Sequence, residues 1–158
     1  MDVDLDLTVN IRRVEMRDIK EIMRLDRRVY PSPWSEKMTI EQTTGNGRVH
    51  FVVIVDDQIV GHGGIALLAK EAHVTTIAID PDYQRSGFGS RLLDRLITSA
   101  AANQCVGITL EVRAGNWAAI ALYETAGFES AGVRPRYYQN DGEDAVIMWK
   151  DLFDDGDD

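Results

Sequence analysis

The sequence predicts a mixed α/β domain, a central sheet with helices packed on both faces. Three observations carry that expectation: hydrophobic periodicity that switches repeatedly between strand and helix spacing, a strand that runs into a glycine-bearing turn and then a helix, and 44% apolar residues in a chain of 158. A chain of that length buries roughly 70% of the surface its unfolded form exposes, so it has a real core without disulfides or metals. The single cysteine, Cys105, forbids an internal disulfide framework. There is no run of about 18 apolar residues and no basic-then-apolar leader behind Met1, so a cytoplasmic address with no membrane association is expected.

Val9 to Val14 reads as a first strand. Asp18 followed by Glu21 has capping spacing, and Ile19, Ile22, Met23 and Val29 fall on one helical face, giving a helix over Asp18 to Val29. Tyr30-Pro31-Ser32-Pro33-Trp34 breaks it, and Ser35 caps a second short helix through Thr43. Phe51 to Val55 and Ile59 to Leu68 read as antiparallel strands joined at Asp56-Asp57-Gln58. Ala72 to Ile79 is a third, β-branched strand stopped by Asp80-Pro81-Asp82.

From Gly87 the period becomes helical through Leu92, Leu93, Leu96, Ile97 and Ala100. Val106 to Val112 returns to strand, Asn116 caps a helix to about Ala126, and Gly127 is placed to end it. Glu129 to Tyr137 and Asp144 to Lys150 complete the order β-α-α-β-β-β-α-β-α-β-β.

The formal charge of −9 is concentrated at the ends: seven of the 26 acids lie in residues 1–8 and 153–158, leaving 19 acids against 17 bases between them. Acidic tails at 1–8 and 153–158 therefore flank one nearly neutral domain at 9–152. No basic stripe supports nucleic-acid binding. His50, His62 and His73 have no mutual metal spacing, so no metal is expected.

The stretch Val74 to Leu93 carries the chemistry. A strand that feeds a glycine turn and opens directly into a helix aims several unpaired N–H groups at one spot beside the positive end of the helix dipole, a geometry that binds phosphate. A Walker loop would need Gly-Lys-Ser/Thr where Gly89-Ser90-Arg91 stands, and a dinucleotide fingerprint would need a third small residue at Leu92. Gln84-Arg85-Ser86-Gly87-Phe88-Gly89 instead fits Gln/Arg-x-x-Gly-x-Gly/Ala, and through it the chain resembles the GCN5-related N-acetyltransferase (GNAT) superfamily over about residues 9 to 150.

Two further features bear on catalysis. Asn116 and Tyr123 are two helical turns apart and share a helix face. Glu111 shares one face of its strand with Thr109 and Arg113, so its partner is either Arg113, in a simple ion pair, or an incoming ammonium group. With Pro33-Trp34-Ser35, Leu110-Glu111-Val112-Arg113, Asn116, Ala121 to Glu124 and Arg136-Tyr137-Tyr138, the chain resembles the bacterial ribosomal-protein S18 alanine N-acetyltransferase (RimI) family nearly end to end.

The resemblance implies a GNAT-like, largely antiparallel sheet and acetyl-CoA as cosubstrate. It implies that Ile77, Ala78, Ile79, Gln84, Arg85, Ser86, Gly87, Phe88, Gly89, Ser90, Asn116 and Tyr123 bind acetyl-CoA. The backbone of Ile77 and Ile79 would pair with the pantetheine amides. Glu111 would be the general base and Tyr123 the general acid, with Tyr30, Trp34, Tyr137 and Tyr138 around the peptide N-terminus. The implied acceptor is the N-terminal alanine of ribosomal protein S18. Glu36, Glu41, Asp141 and Glu143 are candidates for steering its basic segment. Lysine or small-amine acetylation on the same fold, and a silent acyl-CoA-binding module, are the alternatives.

Overall fold

A computed structural model describes residues 8–152. It contains strands β1 (Val9–Arg13), β2 (Arg48–Val55), β3 (Gln58–Leu68), β4 (Glu71–Ile79), β5 (Gly107–Arg113), β6 (Glu129–Arg134) and β7 (Ala145–Asp151). The helices are α1 (Ile19–Val29), α2 (Glu36–Thr44), α3 (Phe88–Ala102) and α4 (Trp117–Thr125). Short 3₁₀ turns at Met16–Asp18 and Pro81–Tyr83 precede α1 and the glycine turn. The expected element order holds, and the seven strands form one sheet in the order β1-β2-β3-β4-β5-β7-β6. Except for β4 with β5, all neighbours are antiparallel. The acidic stretches at 1–7 and 153–158 lie outside the described residues.

Strand alternation splits the core into two layers. Phe51 and Val53 of β2 join Leu92, Leu93 and Leu96 of α3 in one buried cluster. On the opposite face, α1 buries Ile19, Ile22 and Leu25, and also Asp26. Asp26 is buried because it accepts from His62 Nε2 of β3 at 2.6 Å, while His62 Nδ1 lies 2.8 Å from His50 Nε2 of β2. A Cβ on Gly64 would overlap the His50 ring, so the glycine makes room for it. Burial and the neighbouring His62 push the His50 pKa well down, which keeps its imidazole neutral. Two of the three histidines are thus spent tying α1 to the sheet.

Several ends differ from the sequence expectation. Asp18 does not cap α1 with its side chain; it takes a two-pronged bond from Arg12, at 2.8 and 3.0 Å, and accepts the Glu15 N–H at 2.7 Å. β2 starts three residues earlier, at Arg48, because Arg48 pairs with Ala66. β6 stops at Arg134, not Tyr137, since Pro135 has no N–H to donate and Arg136 turns left-handed at φ 51°. Ser35 caps α2 as expected, accepting from Met38 N at 3.1 Å.

The pairing of β4 with β5 positions everything that follows. It covers only Glu71–His73 against Gly107–Thr109. Immediately beyond, Thr75 is an extra residue bulged against β3 between the pairs Gly64↔Thr76 and Ile65↔Val74. From that point β4 and β5 diverge, leaving the β5-facing edge of Thr76–Ile79 without a strand partner.

Candidate active site

The turn after β4 has the shape its glycines require. Arg85 and Gly87 both adopt positive φ, 66° and 82°, and Gly87 caps α3 with no side chain over the helix end. The first amide of α3 to donate within the helix is that of Arg91, to the Gly87 carbonyl at 3.1 Å. The N–H groups of Phe88, Gly89 and Ser90 remain open at the positive helix end, with Arg85 and Ser86 exposed beside them. A Cβ at Gly87 would meet nothing within 4 Å, so the space over the turn is clear. Phe88 is buried and anchors the first turn, and Gly89 lies against Leu122 and Ile79. These residues fit a pyrophosphate.

On the open edge of β4, the Ile77 carbonyl accepts from the Tyr30 hydroxyl at 3.2 Å and the Ile79 carbonyl from Gln84 Nε2 at 3.2 Å. Two of the carbonyls expected to pair with the pantetheine amides thus already accept from side chains, while the Ala78 side chain is buried in the core. Asn116 caps α4 through its Oδ1, 3.2 Å from Ala119 N, which leaves its amide N–H groups to face a ligand.

Four phenols converge near this edge. Tyr30 is also 2.6 Å from Thr76 Oγ1, and burial pushes its pKa up to about 12. Burial, with Tyr30 and Tyr138 in electrostatic reach, raises Tyr123 further, so its phenol is firmly protonated at neutral pH. Tyr123 also meets Phe128 edge-on, with ring centroids 5.8 Å apart. Tyr137 and Tyr138 form a second edge-on pair, at 5.1 Å.

The Arg113 ion pair expected as one reading of Glu111 does not form. Arg113 does not touch the carboxylate; its guanidinium bonds Asp141 Oδ1 and Oδ2 at 3.0 Å, Glu143 Oε1 at 3.2 Å and Asn140 Oδ1 at 3.0 Å, and stacks 4.0 Å from the Tyr138 ring centre. Asp141 and Glu143, expected to steer a basic peptide, are therefore taken up in pinning the β6–β7 loop. The Glu111 carboxylate instead lies 2.9 and 3.1 Å from His73 Nε2 and accepts from the Tyr137 hydroxyl at 3.3 Å.

In the sequence His73 shows no role beyond its lack of metal spacing. The one available signal was its place on the strand leading into the phosphate turn, which the β4–β5 pairing brings beside Glu111. His73 in turn lines an open cavity of about 360 Å³ with Trp34, Gln42, Arg48, Ala66, Leu68 and Thr75. Trp34 is thus brought to Glu111's histidine, whereas Tyr30 lies on the Tyr123 side. Among the described residues no three His, Cys, Asp or Glu side chains gather as a metal site, and no helix is long and apolar enough to cross a membrane.

A parting pair of strands, an open helix terminus at the parting, and a carboxylate and phenols beside it define an acyltransferase that uses coenzyme A. Residues 19–128 match the Acetyltransferase (GNAT) family, and the chain belongs to that family, whose acyl donor is acetyl-CoA. It is 39% identical over 140 residues to the [Ribosomal protein bS18]-alanine N-acetyltransferase of Escherichia coli K12, covering 87% of this chain and 94% of that protein. It is 32% identical over 155 residues to an N-alpha-acetyltransferase of Saccharolobus solfataricus, covering 90% and 92% of the two chains. The crystal structure of the Escherichia coli ribosomal-protein-S18-alanine N-acetyltransferase superposes with a TM-score of 0.87 at 34% identity, covering 96% of this chain and 98% of that one.

Proposed function

We propose that this chain transfers acetyl from acetyl-CoA to the α-amine of a protein N-terminus, with the N-terminal alanine of ribosomal protein S18 as acceptor. In this reading Glu111 is the general base and Tyr123 the general acid. The observation that carries it is the freedom of Glu111 from Arg113: a carboxylate held by an imidazole and a phenol, with no permanent cation on it, is available to an incoming ammonium. The open amides of Phe88, Gly89 and Ser90 hold the pyrophosphate, and Asn116 the pantetheine arm. Acetyl-CoA supplies an activated acyl group as a thioester.

An α-amine, with a pKa of about 8, is freed of its proton far more easily than lysine at about 10.4, which suits a single carboxylate. As the amine adds and the C–S bond breaks, Tyr123 delivers its proton to the departing sulfur. Burial raises the pKa of this phenol, which keeps its proton in place until the sulfur leaves. The cytoplasm suits the reaction, and a buried, unpaired Cys105 is compatible with it.

The test is a peptide with a free N-terminal alanine followed by arginine and an aromatic, compared by mass spectrometry with its N-blocked form and an internal-lysine control. Acetylation at the α-nitrogen alone is expected. Equal modification of the internal lysine, or an inert free terminus, would leave the fold and acyl donor correct and the acceptor wrong.

A further inference from the structure

The third histidine differs from the other two. His50 and His62 are fully buried and bonded to one another, whereas the His73 side chain keeps 32% of its surface exposed, touches Glu111 and borders the cavity behind Trp34. Both Glu111 oxygens lie within 3.1 Å of the one nitrogen, Nε2. An ionised carboxylate only accepts, so Nε2 carries the hydrogen between them. Among the described residues Nδ1 has no hydrogen-bond partner.

Resting on the reading of Glu111 as the base, we propose that His73 is a positioning residue for this reaction: its Nε2–H donates to the Glu111 carboxylate and fixes it toward the acceptor. Glu111 takes a proton from the acceptor ammonium while that bond holds the carboxylate in place. The freed nitrogen forms its bond to the acetyl carbon as the C–S bond breaks, and the sulfur takes the Tyr123 proton. The second nitrogen proton returns to Tyr123 through solvent, and Glu111 releases its own to water. One acetamide, one thiol and one proton result.

The titratable and charged groups facing His73 are Glu111 of β5, Tyr137 of the β6–β7 loop and Arg48 of β2 across the cavity. Arg48 makes no salt bridge among the described residues, and Tyr137, raised by burial and by Glu111, stays neutral. The imidazole N–H makes the shorter of the two bonds that orient Glu111, 2.9 Å against 3.3 Å from the Tyr137 hydroxyl.

The experiment is kcat against pH for wild type, His73→Gln, His73→Ala and Glu111→Gln, with the alanine-headed peptide saturating and thiol release as readout. Each variant's melting temperature with and without acetyl-CoA is recorded to show that it folds and binds. His73→Ala is expected to lower kcat about 10- to 100-fold, the usual cost of losing a group that orients another. Glutamine keeps an N–H donor for Glu111, so His73→Gln should recover most of that loss, which a merely structural role would not produce.

Free imidazole, small enough for the cavity, should restore His73→Ala several-fold. A His73→Ala enzyme with wild-type kcat would overturn the positioning role while leaving Glu111 as a lone base. A His73→Gln enzyme as impaired as His73→Ala, with no rescue by imidazole, would overturn the role of the N–H donor. A fully active Glu111→Gln would instead overturn the assignment of the base.

Discussion

Substitution of Gly87 separates the fold of the phosphate turn from its ligand. With φ at 82° and ψ at 3°, Gly87 sits where a side chain costs roughly 1–2 kcal/mol, and a β-branched one is worst placed. A Cβ there meets nothing within 4 Å, so no steric penalty adds to the backbone cost in the free protein. Gly87→Val should therefore lower the melting temperature by only about 2–8 °C, at 2–4 °C per kcal/mol for a chain of this size. The same side chain stands where the pyrophosphate must approach the open amides.

Wild type at 100 times Kd gains about 2.7 kcal/mol from acetyl-CoA, or about 5–11 °C. Gly87→Val should lose that gain. Gly87→Asn, whose residue tolerates the left-handed region, should melt close to wild type and still lose it. Differential scanning fluorimetry over a titration of acetyl-CoA reads both quantities. If the asparagine variant kept the wild-type ligand shift, the phosphate would not lie over this turn.

Tyr123→Phe should preserve the acetyl-CoA melting shift and lose about 10²- to 10⁴-fold in kcat, the range for one proton donor; thiol-release kinetics at wild-type rate would return Tyr123 to a packing role. Glu111→Gln should recover activity as pH rises through the α-amine pKa of about 8, because a deprotonated amine needs no base; a pH profile parallel to wild type would refute this. The Arg12–Asp18 pair predicts a pH-dependent stability. Burial alone would raise the Asp18 pKa, but the bonds from Arg12 and the Glu15 amide outweigh it and hold the carboxyl below its usual range. Its contribution is therefore present above the unfolded pKa of about 3.9 and lost as pH falls through the folded value. Asp18→Asn should cost about 1.5–3 kcal/mol at pH 7, from lost charged hydrogen bonds, with the gap to wild type closing below about pH 4 in denaturant titrations.

What the sequence made legible was what adjacent residues decide. The glycine turn at Gly87 and the serine cap at Ser35 follow from local backbone demands and stand where the pattern put them, while the connection expected over Asp56-Asp57-Gln58 tightens to two residues because Gln58 pairs with Val55. Partners set by strand pairing were not legible. Arg113 is two residues from Glu111 on the same strand face, which made it the obvious ion pair. Its actual partners lie about 30 residues away, in a loop that Pro135 and Arg136 bend back over it. Asp18 had the spacing of a cap, yet a guanidinium six residues earlier bound it more strongly than one amide. His73 lies 38 residues from Glu111, and only the short parallel ladder joins them.

That ladder also explains why the base stands where it does. His73 and Thr109 are the last paired residues before β4 and β5 separate. Strand alternation makes Glu111 the first residue past the parting to share a face with Thr109. The carboxylate is therefore rooted beside the last hydrogen-bonded rung, where backbone is held firmly, and reaches into the opening, where an acyl chain can lie along the free edge of β4. Extending the pairing by two residues would close the opening over Glu111; shortening it would cost the rung that holds His73. The bulge at Thr75 ends the shared ladder at the one register that satisfies both needs.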